Sequence, residues 1–320
     1  MQVKFGWLGV PLFFVLSGYL LSTQLGSGAL KRERVLRFWR RRFLRIYPGV
    51  WLQLAVLALA VAAGAAIAPQ LSALQWGANA LLLVSFPDAI APPVNKVYWT
   101  LPIELTFYLV LPALVLMQRR LHWAVMLAGA VVLAIAWRAA VMGSHPGANM
   151  TLHLNALEAL PGSLAAFVGG MAVARVPAPT AAQARLRLAA AALSLLALQY
   201  WLLVNLDTYW AGHPMLAVWN PLAGVAIALG VHALLHPPPE FNFLGSRPFV
   251  WLGETSFGIY LWHLPIFKLM LWLSPATWAG TWGSAAALAL CLAATLPLAW
   301  ASYRWVEKPV LDWESRRNRT

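Results

Sequence analysis

Residues 283–303, GSAAALALCLAATLPLAWASY, hold no charged side chain. About twenty such residues cross a bilayer as a helix. Lipid offers the backbone no water, so a crossing segment must bond its own N–H and C=O groups as a helix or pair them all in a closed barrel. Segments at 8–24, 50–68, 98–117, 122–141, 155–174, 187–205, 218–236 and 255–273 have similar length and character, and none alternates like a barrel strand. The expected fold is all-α: a polytopic membrane helical bundle of about nine spans. The stretch 71–86 is shorter and carries Gln75 and Asn79, so it reads as a re-entrant or interfacial helix.

Composition agrees. Hydrophobic residues make up 61% of the chain and charged residues 10%, with mean hydropathy +0.68; a soluble domain carries about 25% charged residues. The net charge of +13 would suggest nucleic acid in a soluble protein. Here the basic residues cluster between apolar segments, where membrane topology accounts for them. The expected partner is therefore membrane lipid and not nucleic acid. With residues 25–49 in the cytoplasm and the spans threaded alternately, 19 of the 23 Lys and Arg residues fall on the cytoplasmic side. Lys4, Lys96, Arg138 and Lys268 lie on or toward the other side. This threading puts the N-terminus outside and the C-terminus inside. The single cysteine, Cys291, excludes an intrachain disulfide and offers no metal cluster. A single membrane domain is expected over 1–309, with 310–320 a short basic cytoplasmic tail.

The densest charge is in RFWRRRFLRIYPGVW, residues 37–51, where five arginines fall between Arg37 and Arg45. Arg42 and Arg45 are three apart and share a helix face; Arg41 and Arg45, four apart, nearly share it. Guanidinium groups grip phosphate in a bidentate fork. One reading is a phosphate-binding mouth at the membrane surface; the other is a topology signal that also meets anionic lipid head groups. Lys31, Arg32 and Arg34 fit the second better.

Several polar residues stand inside apolar segments. Glu104 is the sharpest, because a carboxylate inside a span is costly and marks a functional site by default. Tyr108 follows one turn later on the same face. The alternative is a structural ion pair with Lys96 or with another helix. His263 is a weaker candidate for a general base, and packing within its span explains it as well. Ser17, next to Gly18, suits helix packing. Glu158 and Glu307 stand near helix ends and read as structural. Trp76, Trp99, Trp210 and Trp219 read as an interface belt that can also stack on sugar.

Five stretches together resemble the membrane acyltransferase 3 family. GWLGVPLFFVLSGYLL (6–21) is similar to its second-span signature, and FWRRRFLRIYP (38–48) to its arginine motif, with Arg42 and Arg45 at the RxxR positions. YWTLPIELTFYLVLP (98–112) resembles its W-S-L-x-x-E-x-x-F-Y helix, with Thr100 in place of the serine. LGETSFGIYLWHLPIF (252–267) and SYRWVEKP (302–309) resemble its C-terminal signatures. The resemblance implies a multi-pass protein of the bacterial cytoplasmic membrane that moves acetyl or another short acyl group. The implied donor is cytoplasmic acyl-CoA, as substrate and with no further cofactor. The implied acceptor is a hydroxyl of a cell-surface glycan, a lipid-linked sugar or a glycosylated small molecule. Arg41, Arg42 and Arg45 would then face the donor, and Glu104 would support the catalytic base, with Tyr108 and His263 as weaker candidates. The family's histidine-bearing first span is expected just upstream of Gly6. None of the seven histidines here takes its place, so the 320-residue chain is expected to have little activity by itself. A transporter or flippase of a lipid-linked sugar, or a non-catalytic relative, is the alternative.

Overall fold

A computed structural model describes residues 8–84, 90–273 and 280–317. Lys4, the Gly6–Trp7 start of the first motif, the end of the 71–86 stretch and Arg319 lie outside them. In chain order the helices are α1 (Gly9–Gly26), α2 (Arg32–Ala62), α3 (Ala73–Ala80), α4 (Thr100–Arg120), α5 (Trp123–Ser144), α6 (Leu154–Leu157), α7 (Leu160–Val173), α8 (Ala181–Val204), α9 (Leu206–Trp210), α10 (Met215–Leu234), α11 (Arg247–Leu273), α12 (Gly280–Ser302) and α13 (Lys308–Arg317). The described residues contain no strand. Among the described residues, eight helical stretches are long and apolar enough to cross a membrane. A ninth appears if residues 150–157 and 160–173, bent by 54°, count as one span. The protein is thus a multi-pass helical membrane protein.

Boundaries differ from the sequence reading where charge and helix coincide. α2 begins at Arg32, well before the apolar run at 50, because arginine is a good helix former and Glu33 suits a first turn. It ends at Ala62, ahead of Gly64, whose φ of +90° breaks the helix. α11 starts at Arg247, ahead of the apolar run at 255, with Pro248 in its first turn, where a missing N–H costs nothing. The 71–86 stretch yields only α3, eight residues long and started by a Ser72–Gln75 capping box.

The chain forms two compact units, Leu36–Pro102 with Leu244–Thr320, and Gln2–Val35 with Ile103–Phe243. In the second unit α7 lies at the centre, against α1, α5 and α10. Its sequence LPGSLAAFVGGMAV is buried along almost its whole length, and small side chains let the backbones close in. A Cβ on Gly170 would overlap the carbonyl oxygen of Val15, and one on Gly18 that of Phe167. Phe14, Phe167 and Phe107 stack beside these contacts, at 4.4 and 3.9 Å between ring centroids. Gly170→Val must push α1 from α7, and is expected to cost about 1–3 kcal/mol or more. Thermal unfolding of the purified protein in mild detergent checks this; an unchanged Tm would show that the helices part freely.

In the first unit α2 meets α11 at a few side chains, in the same order along both helices. Gly49 faces Phe257 and Leu261, and Gln53 reaches the Leu261 carbonyl. Pro265 explains that last contact. Proline has no N–H for the carbonyl four residues back, so Leu261 is left with a free acceptor inside the unit. The side-chain amides of Gln53 and Asn95 both donate to it, Asn95 at 2.9 Å. Asn95 also starts the short 3-10 turn Lys96–Trp99. The Tyr260 hydroxyl bonds the Val97 carbonyl and Thr100 Oγ1, fixing that turn to α11.

Candidate active site

Two polar groupings, one in each unit, hold the candidate residues. In the first unit the arginine block is divided among three partners. Arg40 and Arg41 lie 2.7 and 3.8 Å from Glu314, a buried carboxylate on α13. Arg42 lies over the Phe38 ring, 5.8 Å from its centroid. Arg45 sits 3.2 Å from Glu307, with its guanidinium 5.6 Å above the centroid of Phe257. Glu307 is fully buried, while Arg45 keeps 26% of its side chain exposed.

The local sequence explains why Glu307 points inward. Residues Tyr303–Glu307 form one π-helical turn between α12 and α13. Pro309 follows, and it has no N–H to give to Trp305. A π turn absorbs the mismatch and rotates the side chains that follow, and such turns are frequent at functional sites. Ser302 donates to the other Glu307 oxygen at 3.3 Å, so both carboxylate oxygens are held. An arginine fixed by a buried acid and still open to solvent presents its remaining N–H groups in a set direction. From the sequence Glu307 reads as structural, near a helix end; the structure pairs it with Arg45.

His263, also in the first unit, is half-buried. Its Nδ1–H donates to the Ile259 carbonyl at 3.1 Å, which leaves Nε2 as the basic nitrogen of the neutral ring. The Cys291 thiol donates to the His263 carbonyl at 3.4 Å, so α12 helps hold that turn of α11. The Tyr98 hydroxyl and the Trp262 indole N–H, both buried in motif residues, have no protein partner among the described residues. Such groups call for a water or a ligand atom. Composition and spacing gave no sign of either.

In the second unit the Tyr108 hydroxyl donates to Glu104 one turn away on α4, and both side chains are buried. The carboxylate is thus held by a phenol, in a segment where a bare charge would be costly. Gln118, further along α4, donates to the Met171 carbonyl at 2.9 Å. Arg34 and Arg119 reach carbonyls at the end of α1 and in the turn after it: Arg34 bonds Gln24 at 2.7 Å, and Arg119 bonds Gly28. Cations suit a helix C-terminus, so Arg34 has a structural place. Among the described residues no group of three or more His, Cys, Asp or Glu is placed to hold a metal.

The acyltransferase domain family matches residues 4–304. The peptidoglycan O-acetyltransferase OatA of Listeria monocytogenes is 29% identical, over 96% of this chain and 51% of its own length. YrhL of Bacillus subtilis is 28% identical, over 95% of this chain and 50% of its own. Nodulation protein 10 of Rhizobium leguminosarum is 27% identical, over 86% of this chain and 74% of its own. The chain thus spans about half the length of the first two. No solved structure matches it. Because the match runs over nearly all of its length, this chain belongs to the acyltransferase 3 family.

Proposed function

We propose that the protein is a membrane O-acyltransferase of the bacterial cytoplasmic membrane. In this reading it moves acetyl or another short acyl group from acyl-CoA to a hydroxyl of a cell-surface glycan. The observation that carries the reading is the half-open Arg45 held by buried Glu307, with Arg42 one turn before it. CoA presents a diphosphate and a 3′-phosphate, and a fixed guanidinium fork suits both. The arginine-bearing ends face the cytoplasm, where the donor is, as the charge distribution favours. Arg41, engaged by Glu314, borders the donor mouth and ties it to α13. The names of the Listeria and Bacillus relatives support a glycan acceptor.

The reaction needs a base. The acceptor oxygen attacks the thioester carbonyl carbon; the C–O bond forms as the C–S bond breaks. The hydroxyl proton leaves to a base, and the CoA sulfur takes up a proton. Glu104, with Tyr108 as its hydrogen-bond donor, orients or accepts that proton. Nε2 of His263 is the second basic atom to test.

The test uses the chromosomal gene, so the protein is studied as the cell makes it. Deleting the gene should remove alkali-labile acyl esters from a surface glycan, measured by release of labelled acetate. Glu104→Gln should slow label incorporation by about 10²–10⁴-fold, the usual loss of a proton-transfer group. A deletion strain with unchanged glycan esters would overturn the function. An unchanged rate in Glu104→Gln alone would remove Glu104 from the site and turn attention to His263.

A further inference from the structure

The first unit opens to solvent at the end of α2 and α11 away from Arg45. Ala66, Ile67 and Ala68, just past α2, and Lys268, Leu271 and Trp272 of α11 line an open cleft of about 350 Å³. Eleven residues of α11 separate Phe257, beside Arg45, from Lys268, a rise of about 16 Å.

Lys268 is the charged side chain in this cleft. It is half-buried and gives one N–H to the Ile67 carbonyl at 3.2 Å. An ammonium carries three donors, and no carboxylate among the described residues pairs with this one. Lys96, exposed on the turn before α4, is close enough to repel it. A lysine in an apolar helix is costly, and a second cation beside it adds to the cost. An anion placed between them removes both penalties. Trp272, part-exposed on the wall of the cleft, offers a flat apolar face of the size of a sugar ring.

We propose that this cleft binds an acidic saccharide, with its carboxylate or phosphate on Lys268 and Lys96 and its ring against Trp272. The proposal rests on the acyltransferase reading only in naming the ligand as the acceptor; the binding it predicts needs no donor and no turnover. Donor and acceptor would then enter the first unit from opposite ends.

The test is equilibrium binding to the purified full chain in neutral detergent, read by tryptophan fluorescence. Glucuronate and glucose 6-phosphate are the charged probes and glucose the neutral one. Both charged probes should bind at least about tenfold more tightly than glucose. Lys268→Met should remove that preference, Lys96→Met should reduce it, and Lys268→Arg, which keeps the charge, should retain it. Equal binding of the three probes, or an unchanged preference in Lys268→Met, would overturn the proposal. So would competition by phosphatidylglycerol vesicles that abolishes glucuronate binding while phosphatidylcholine vesicles do not, since the cleft would then be a lipid head-group site. Failure of acyl transfer in cells with intact charged-probe binding would count against the catalytic reading alone.

Discussion

Glu158→Ala should destabilise the second unit by about 3–5 kcal/mol, the cost of leaving a buried charge without its partner. Arg138 is 1% exposed, and its Nη1 lies 2.8 Å from Glu158. The same guanidinium donates from Nε to the Leu216 carbonyl at 2.9 Å and from Nη1 to the Leu157 carbonyl at 3.3 Å. Glu158 in turn accepts from Asn220 at 2.7 Å and from Ser163 at 3.2 Å. Burial pushes the Tyr209 phenol up, so it stays protonated beside the pair. These contacts sit where α6 gives way to α7, and the bend there leaves carbonyls that no helix N–H can satisfy. The network therefore holds the bent pair α6 and α7 to α5 and α10. Arg138→Met alone should cost a similar amount, because Glu158 is then the stranded charge. Arg138→Met with Glu158→Gln should recover much of the loss, since no charge is left and the amide still bonds Asn220 or Ser163. Denaturant unfolding in micelles, run as a double-mutant cycle, measures the coupling. Single variants that cost less than about 1 kcal/mol would mean that water reaches the pair.

That network also marks the limit of what the sequence discloses. Apolar length made the spans readable, because twenty uncharged residues admit few alternatives. Glu104 was readable for the converse reason, as a lone acid in an apolar segment. Arg138 and Glu158 were each visible, but as an outward-leaning cation and a helix-end acid. Their pairing depends on a 54° bend that no periodicity announces. Trp219 fits an interface belt by position. In the structure it is buried and gives its indole N–H to the Leu198 carbonyl at 2.9 Å. Gly170 looked like an ordinary span residue until the approach of α1 to α7 gave it a reason, whereas Gly18 already stood beside a serine read as a packing residue. Glu307 is the clearest case. Its place near a helix end suggested a local structural role, while its partner, Arg45, is 262 positions away. Local spacing reports local contacts, and the pairing of Arg45 with Glu307 is a distant one.

Arg45→Ala should weaken CoA binding by about 1.5–3 kcal/mol, the worth of a hydrogen bond to a charged group, or roughly 10- to 150-fold in Kd. Arg45→Lys should recover little. An ammonium has no planar fork, so it cannot bond Glu307 and a phosphate in the same fixed directions. Glu307→Gln separates two roles that Arg45 can have. If Glu307 only neutralises Arg45, its removal frees positive charge and CoA should bind as tightly or more tightly. If it orients the guanidinium, the neutral amide holds it less firmly and CoA should bind more weakly, although the site has become more positive. The buried position of Glu307, its second bond to Ser302 and the π turn that aims it favour orientation. Glu307→Gln is therefore expected to weaken CoA binding, by less than Arg45→Ala does. Combining the two changes should add little to Arg45→Ala, because the acid acts through the arginine. Titration of CoA against purified protein, with desulfo-CoA as a second probe that keeps every phosphate, checks each step. Parent-like binding by Arg45→Ala would reduce the arginine to a topology signal. Tighter binding by Glu307→Gln would leave Arg45 a phosphate ligand but make Glu307 a mere counter-ion.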